Sequence, residues 1–196
     1  MEKIWRVKEH DKEAEKQLAK AAGITPLVAG LLRQRGITTP ASARRFLSPE
    51  TEQAYYDPFL LQDMEKAVTR IEQALADHER IIVYGDYDVD GITSTALLLR
   101  ALQRLGADVG YYIPARQEGY GLHSDTLTRF ADSGVSLVVS VDCGISAISE
   151  AAALAGKLDL VITDHHLPGD ALPAAVAVVN PHRAGEAYPY RELAGV

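Results

Sequence analysis

Four short apolar runs rich in β-branched and aromatic residues recur along this chain: Ile81-Ile82-Val83-Tyr84, Val109 to Ile113, Leu137 to Val141 and Leu160-Val161-Ile162, starting 23 to 28 residues apart. Between them, Thr93 to Leu105, Ser124 to Asp132 and Ser146 to Leu154 carry helix-favouring residues. Strands that read as unbroken apolar runs are buried on both faces, and strands alternating with helices pair in parallel through right-handed crossovers. An α/β protein is therefore expected, with a doubly wound, mainly parallel sheet and Ala175 to Val179 as a fifth strand. Ligands of such sheets lie beyond the carboxyl ends of the strands.

The residues before the first strand differ in kind. A helix pattern runs from Leu60 to about His78, with Met64, Ala67, Val68, Ile71 and Leu75 at helical spacing. Further upstream, Glu9 to Ala22 favours a helix, Thr25-Pro26 caps and opens another to about Arg35, and Thr39-Pro40 repeats that signal before Ala41 to Leu47. Leu31, Leu32, Ile37, Phe46 and Leu47 can cover only a small apolar patch, so this part is expected to lean on the larger one. Ser48 to Phe59 reads as an extended surface linker. Two parts follow: a basic helical extension, 1–48, and an α/β domain, 49–196.

Charge supports that division. The net charge is −7, which argues against a broadly basic nucleic-acid-binding surface. Yet residues 1–48 carry ten Lys and Arg against five Asp and Glu, a balance of +5, which leaves −12 for the remainder. The single cysteine, Cys143, excludes an intramolecular disulfide framework and a zinc-finger pair, and suits a reducing cytoplasm. The N-terminal Met1-Glu2-Lys3-Ile4-Trp5-Arg6 is charged, and no apolar run approaches the roughly 18 residues a membrane helix needs. Neither a secretion signal nor a membrane association is expected.

The strand ends concentrate the chemistry. The first strand runs into Gly85-Asp86-Tyr87-Asp88-Val89-Asp90-Gly91, the third into Asp142-Cys143-Gly144, and the fourth into Thr163-Asp164-His165-His166. Five carboxylates and two imidazoles thus converge on one crevice. Carboxylates so close repel and raise one another's pKa unless a cation sits among them. Several carboxylates with one or two imidazoles and no required thiolate suit Mn²⁺, or Mg²⁺ with less nitrogen. Seven candidate groups exceed the needs of one ion, so two ions are expected, with Asp142 bridging them. Gly85, Gly91 and Gly144 allow the backbone to turn beside metal and phosphate, and Thr93-Ser94-Thr95 open a helix whose amides can face an anion. Gly119-Tyr120-Gly121 reads equally as a tight turn or as a substrate-contacting loop. Cys143 reads as a small buried residue, His10, His78 and His182 as surface residues, and Arg100 with Arg104 as a solvated helix face.

In order and spacing, Asp86 to Gly91, Val141 to Gly144 and Asp164-His165-His166 resemble the DHH phosphoesterase superfamily, and within it the RecJ-type single-strand-specific exonucleases. The run Val83 to Thr95, the Glu118 to Leu122 loop, Thr163 to Gly169, Val179-Asn180-Pro181 and Leu193 to Val196 support the resemblance. It implies a Mn²⁺- or Mg²⁺-dependent hydrolase degrading single-stranded DNA from its 5′ end in recombination and repair. A monomer is expected, with a single-strand-binding protein and a helicase as partners. Carried onto this chain, it makes Asp88, Asp90 and His165 metal ligands, with Asp86 in the same motif and Asp142 as the bridge. His166 would face the scissile phosphate, with Asp164 orienting its neighbours. Gly91, Thr93, Ser94, Gly119, Tyr120 and Gly121 are the residues expected near substrate.

Enzymes of this type continue well beyond a segment like Gly195-Val196, with a further metal-binding aspartate and a second domain. The chain is therefore expected to be an N-terminal fragment, truncated within its α/β domain and possessing little activity alone. Within the superfamily, an oligoribonucleotide or nucleotide phosphatase, a manganese pyrophosphatase or a non-catalytic replication scaffold are the rivals. The basic extension and the Glu118 to Leu122 loop favour the exonuclease. A haloacid-dehalogenase-type phosphatase would use Asp88 as a nucleophile but has no place for Asp164-His165-His166.

Overall fold

A computed structural model describes residues 10–48 and 56–196. The chain divides into two compact units, Met1–Tyr55 and Tyr56–Val196. Among the described residues no helix is long and apolar enough to cross a membrane.

The first unit holds α1 (Lys12–Ala22), α2 (Pro26–Gln34) and α3 (Pro40–Leu47). Each starts at a side-chain cap, from Asp11, Thr25 and Thr39, and α2 and α3 both have Pro in their first turn, as the sequence signals require. Leu18, Ala19, Ala29, Leu32 and Ala43 are buried together, with Ile37 packed against them. Three alanines let the helix backbones approach closely. Leu31, Phe46 and Leu47, expected in this patch, are instead exposed. The expected linker falls largely on residues 49–55, outside the described residues; its end forms a 3-10 turn, Pro58–Leu60.

The second unit is a doubly wound α/β fold. After α4 (Met64–Ala76) come β1 (Ile81–Tyr84), α5 (Val89–Arg104), β2 (Val109–Tyr112), α6 (Ser124–Asp132), β3 (Leu137–Val141), α7 (Ile148–Ala153), β4 (Asp159–Thr163) and β5 (Ala177–Val179). All pairings are parallel, in the order β2-β1-β3-β4-β5. Every residue of β1 and β3 is buried, which explains why their sequences are apolar apart from Ser140, whose Oγ donates to the Cys143 carbonyl at 2.8 Å. Alternate strand residues feed two cores. Ile82, Tyr84, Val138, Leu160 and Ile162 pack with Leu127 of α6 and Ala151 of α7. Ile81, Val83, Leu137, Val139 and Val161 pack with Ala67 and Ala74 of α4 and Leu102 of α5. Helices therefore cover both faces.

The strand order reverses direction between β1 and β3. The β1-to-β2 crossover goes one way along the sheet, and the next returns past β1 to β3. A crevice opens at such a switch point because the connections leaving the two strands diverge to opposite faces. The loops after β1 and β3 carry the acidic motifs.

One boundary matters for the site. Helix α5 starts at Val89, not at Thr93 as the sequence suggested, because Asp88 caps it: Oδ1 accepts the Gly91 amide at 3.0 Å. Asp90 and Gly91 consequently lie in the first helical turn rather than in a loop.

Candidate metal centre

The loop leaving β1 doubles back on itself. A Cβ on Gly91 would lie 2.5 Å from both the amide nitrogen and the carbonyl oxygen of Asp86, so this contact admits only glycine. The turn buries Asp86, 2% exposed, and leaves its Oδ1 without a hydrogen-bond partner. After β3, Asp142 takes a left-handed backbone, φ 62°, with its amide donating to Thr163 O at 3.0 Å. Its side chain is 1% exposed, and neither carboxylate oxygen has a hydrogen-bond partner. After β4, Asp164 is fully engaged: Oδ2 accepts the Ile145 amide at 2.9 Å, and Oδ1 accepts the His166 amide at 3.0 Å and His166 Nδ1 at 2.8 Å.

Asp86, Asp88 and Asp142 offer one oxygen each within 4.8 Å of one another, and Asp142, His165 and His166 form a second such group. Asp142 belongs to both. Three buried carboxylate oxygens without partners are costly, each by about 1–3 kcal/mol. Burial first, and then the contact with Asp88, push Asp142 up to about 7, whereas the Gly91 amide holds Asp88 below the ordinary carboxylate range.

His165 sharpens the case. Its Nδ1 lies 3.0 Å from Leu193 O, which can only accept, so Nδ1 carries the proton. In the neutral ring Nε2 then presents a lone pair, and it sits 3.1 Å from Asp142 Oδ1 without hydrogen-bond alignment. Two lone pairs facing each other at that distance repel unless a proton or a metal cation offsets them. A divalent ion held by oxygens and an imidazole nitrogen meets every one of these deficits, so the donor set fits the group expected from the sequence.

His166 is held from two sides. Tyr120 Oη lies 3.2 Å from Asp142 O and 2.9 Å from His166 Nδ1, and the two rings meet edge to face with centroids 5.4 Å apart. With its proton on Asp142 O, the phenol can accept from Nδ1–H alongside Asp164. Burial, aided by the surrounding carboxylates, pushes the Tyr120 phenol far above its ordinary value, so it remains a donor.

The other expected residues are placed differently. Asp90 lies in neither close group; its Oδ2 accepts the Gly195 amide at 3.2 Å. Gly91 faces the Asp86 backbone rather than open space. Thr93 Oγ1 donates back to Val89 O at 2.7 Å. Ser94 is buried, with Oγ 2.5 Å from Asp90 O and 2.8 Å from Gly195 O. Both hydroxyls are thus engaged with backbone carbonyls, the usual outcome for Ser and Thr within a helix. Gly119 and Gly121 flank Tyr120, and Gly121 O accepts Tyr84 Oη at 3.2 Å. The residue-by-residue sequence reading missed three groups: the Leu193 carbonyl, the Gly195 backbone, and Asn180, which is fully buried and donates from Nδ2 to His166 O at 2.9 Å. Backbone carbonyls leave no mark in side-chain identity. Asn180, a polar residue closing an apolar strand, was a readable signal.

Fold and site together define an open α/β protein with a carboxylate and imidazole centre at its topological switch point. Residues 80–196 match the DHH family, N-terminal domain, and the chain belongs to that family. It is 46% identical over 194 residues to the single-stranded-DNA-specific exonuclease RecJ of Bacillus subtilis, covering 98% of this chain and 25% of that protein. The crystal structure of exonuclease RecJ bound to manganese superposes with a TM-score of 0.65 at 35% identity, covering 72% of this chain and 36% of the other. RecJ from Thermus thermophilus in complex with Mn²⁺ gives 0.62 at 30% identity, over 86% and 23%. The chain spans about a quarter of the length of the Bacillus relative.

Proposed function

We propose that this chain carries the metal centre of a single-stranded-DNA-specific exonuclease, which hydrolyses phosphodiester bonds from the 5′ end in recombination and repair. The observation carrying this reading is the convergence of partnerless oxygens of Asp86 and Asp142 with the Nε2 lone pair of His165 at the switch point. The likeness to RecJ proteins supports the substrate and the reaction.

Asp86, Asp88, Asp142 and His165 would hold two divalent ions, Mn²⁺ or Mg²⁺, with Asp90 beside them in the first turn of α5. Such ions, when bound, lower the pKa of a water that attacks the phosphorus and offset charge on the phosphoryl oxygens. The protein's own groups do the positioning. Asp164 and Tyr120 hold the His166 ring through Nδ1, leaving Nε2 to meet the scissile phosphate as an N–H donor, which requires the ring in its doubly protonated form. Asn180 holds the carbonyl of the same residue from behind. Tyr120, about half exposed, also offers a ring face to a nucleotide.

The deciding test is Mn²⁺-dependent release of nucleotides from 5′-labelled single strands by the full-length enzyme, compared with its Asp142→Asn variant. Nuclease activity unchanged by that substitution would refute the reading.

A further inference from the structure

The segment Leu193-Ala194-Gly195 lies across the centre and touches it at three points. Leu193 O fixes the His165 tautomer, and the Gly195 amide donates to Asp90 Oδ2. Gly195 itself packs so closely on Asp142 that a Cβ there would overlap Oδ1. Leu193 packs against the core of the sheet, and the first part of α5 holds the segment beyond it. Gly195 is held at its amide by Asp90, and its carbonyl lies 2.8 Å from Ser94 Oγ, whose single proton it shares with the Asp90 carbonyl at 2.5 Å.

We propose that Ser94 is a positioning residue for metal acquisition. By holding Gly195 it keeps the Leu193 carbonyl on His165 Nδ1, so that Nε2 is presented unprotonated toward Asp142. This deepens the metal-centre reading and rests on it. The physical reason is that a free imidazole populates both tautomers, and only a fixed acceptor at Nδ1 commits the lone pair to Nε2. Ser94 is 5% exposed, and its hydroxyl lies between the Asp90 carbonyl one helical turn before it and the Gly195 carbonyl of the segment.

Two measurements on the 196-residue chain test this. In the metal-free protein, labelled with ¹⁵N at histidine, His165 should show a protonated Nδ1; Ser94→Ala should shift it toward the tautomer mixture of free imidazole, and Ser94→Thr, which keeps a hydroxyl, should restore it. By calorimetry, Ser94→Ala should weaken Mn²⁺ binding by about 10- to 100-fold, the range seen when the partner of a ligating histidine is lost. Gly195→Ala, which pushes the segment off Asp142, should produce both changes and serves as the probe if Ser94→Ala does not fold. A Ser94→Ala protein with unaltered tautomer and affinity overturns the proposal. Failure of the wild-type chain to bind Mn²⁺ overturns the metal reading instead, and the tautomer result then judges the Ser94 contact alone.

Discussion

Asp142 concentrates the conflict between stability and function in a single side chain. Its carboxylate is buried without hydrogen-bond partners and its backbone is left-handed, a conformation that Asn and Asp tolerate far better than other non-glycine residues. Asp142→Asn should therefore stabilise the metal-free chain at pH 8 by roughly 1–2 kcal/mol in urea unfolding while abolishing its response to Mn²⁺. Asp142→Ala removes the same charge but adds about 1–2 kcal/mol of backbone strain, so it should show little or no gain. At Tyr120 the ring and the hydroxyl can be separated. Tyr120→Phe keeps the packing on His166 but loses the bond to Nδ1 and Asp142 O. In the full-length enzyme it should lower kcat about tenfold with the KM for DNA little changed, whereas a base-stacking role alone would leave kcat intact.

Among the elements, α5 and α4 matter most because each starts at an aspartate, Asp88 making a local cap and Asp63 tied to distant chain. Asp88 caps α5 and brings its first turn onto the Asp86 loop, where Gly91 admits no side chain. Gly91→Ala should destabilise the chain by roughly 2–3 kcal/mol, measured by chemical denaturation, because the obstructing atoms are backbone. Asp63 precedes α4 and clamps it to the end of the sheet, accepting from Arg183 at 2.6 Å, Lys66 at 2.7 Å and the Val178 amide at 3.4 Å. Burial would raise its carboxyl, but these bonds outweigh it and hold it below the ordinary range. A carboxyl depressed in the folded state stabilises it above the unfolded value near 4, and that contribution disappears as pH falls through the folded value. Asp63→Asn, which suits the left-handed backbone there, should cost about 1–3 kcal/mol at pH 7 and remove this part of the acid sensitivity in pH-dependent urea titrations.

For the whole molecule, the net charge of −7 averages two unlike parts and says little about nucleic acid. Its acidic excess includes the crevice carboxylates, which bound cations would offset. Metal binding should thus be visible as global stability. At Mn²⁺ a hundredfold above Kd, linkage adds about 2.7 kcal/mol, or a rise in Tm of about 5–10 °C for a chain of this size, reversed by EDTA. A Tm insensitive to Mn²⁺ would mean that the partnerless oxygens of Asp86 and Asp142 are tolerated without an ion.

Sequence alone determined the architecture and which acidic and imidazole residues meet at the strand ends. Apolar runs such as Ile81 to Tyr84 and Leu137 to Val141 can exist only where both faces are covered, and alternation with helices leaves a parallel sheet as the economical arrangement. The acidic and imidazole residues that follow those runs then lie at strand ends, which is why Asp86, Asp142 and Asp164 to His166 were legible as one crevice. Periodicity did not resolve where α5 starts, because Asp88 serves as a cap as readily as a ligand. Nor did it separate the roles of neighbouring polar residues: Ser94, expected beside substrate, turns inward to Gly195, and Asp90 is bonded to the Gly195 amide. Tertiary structure alone decided the roles of Ser94 and Asp90, because they depend on the backbone of Gly195, which meets them only when residues about a hundred positions apart fold together, whereas the start of α5 is set locally by the Asp88 cap. Side-chain identity records which chemistry is available; the proton on His165 is placed by a carbonyl group that every residue possesses.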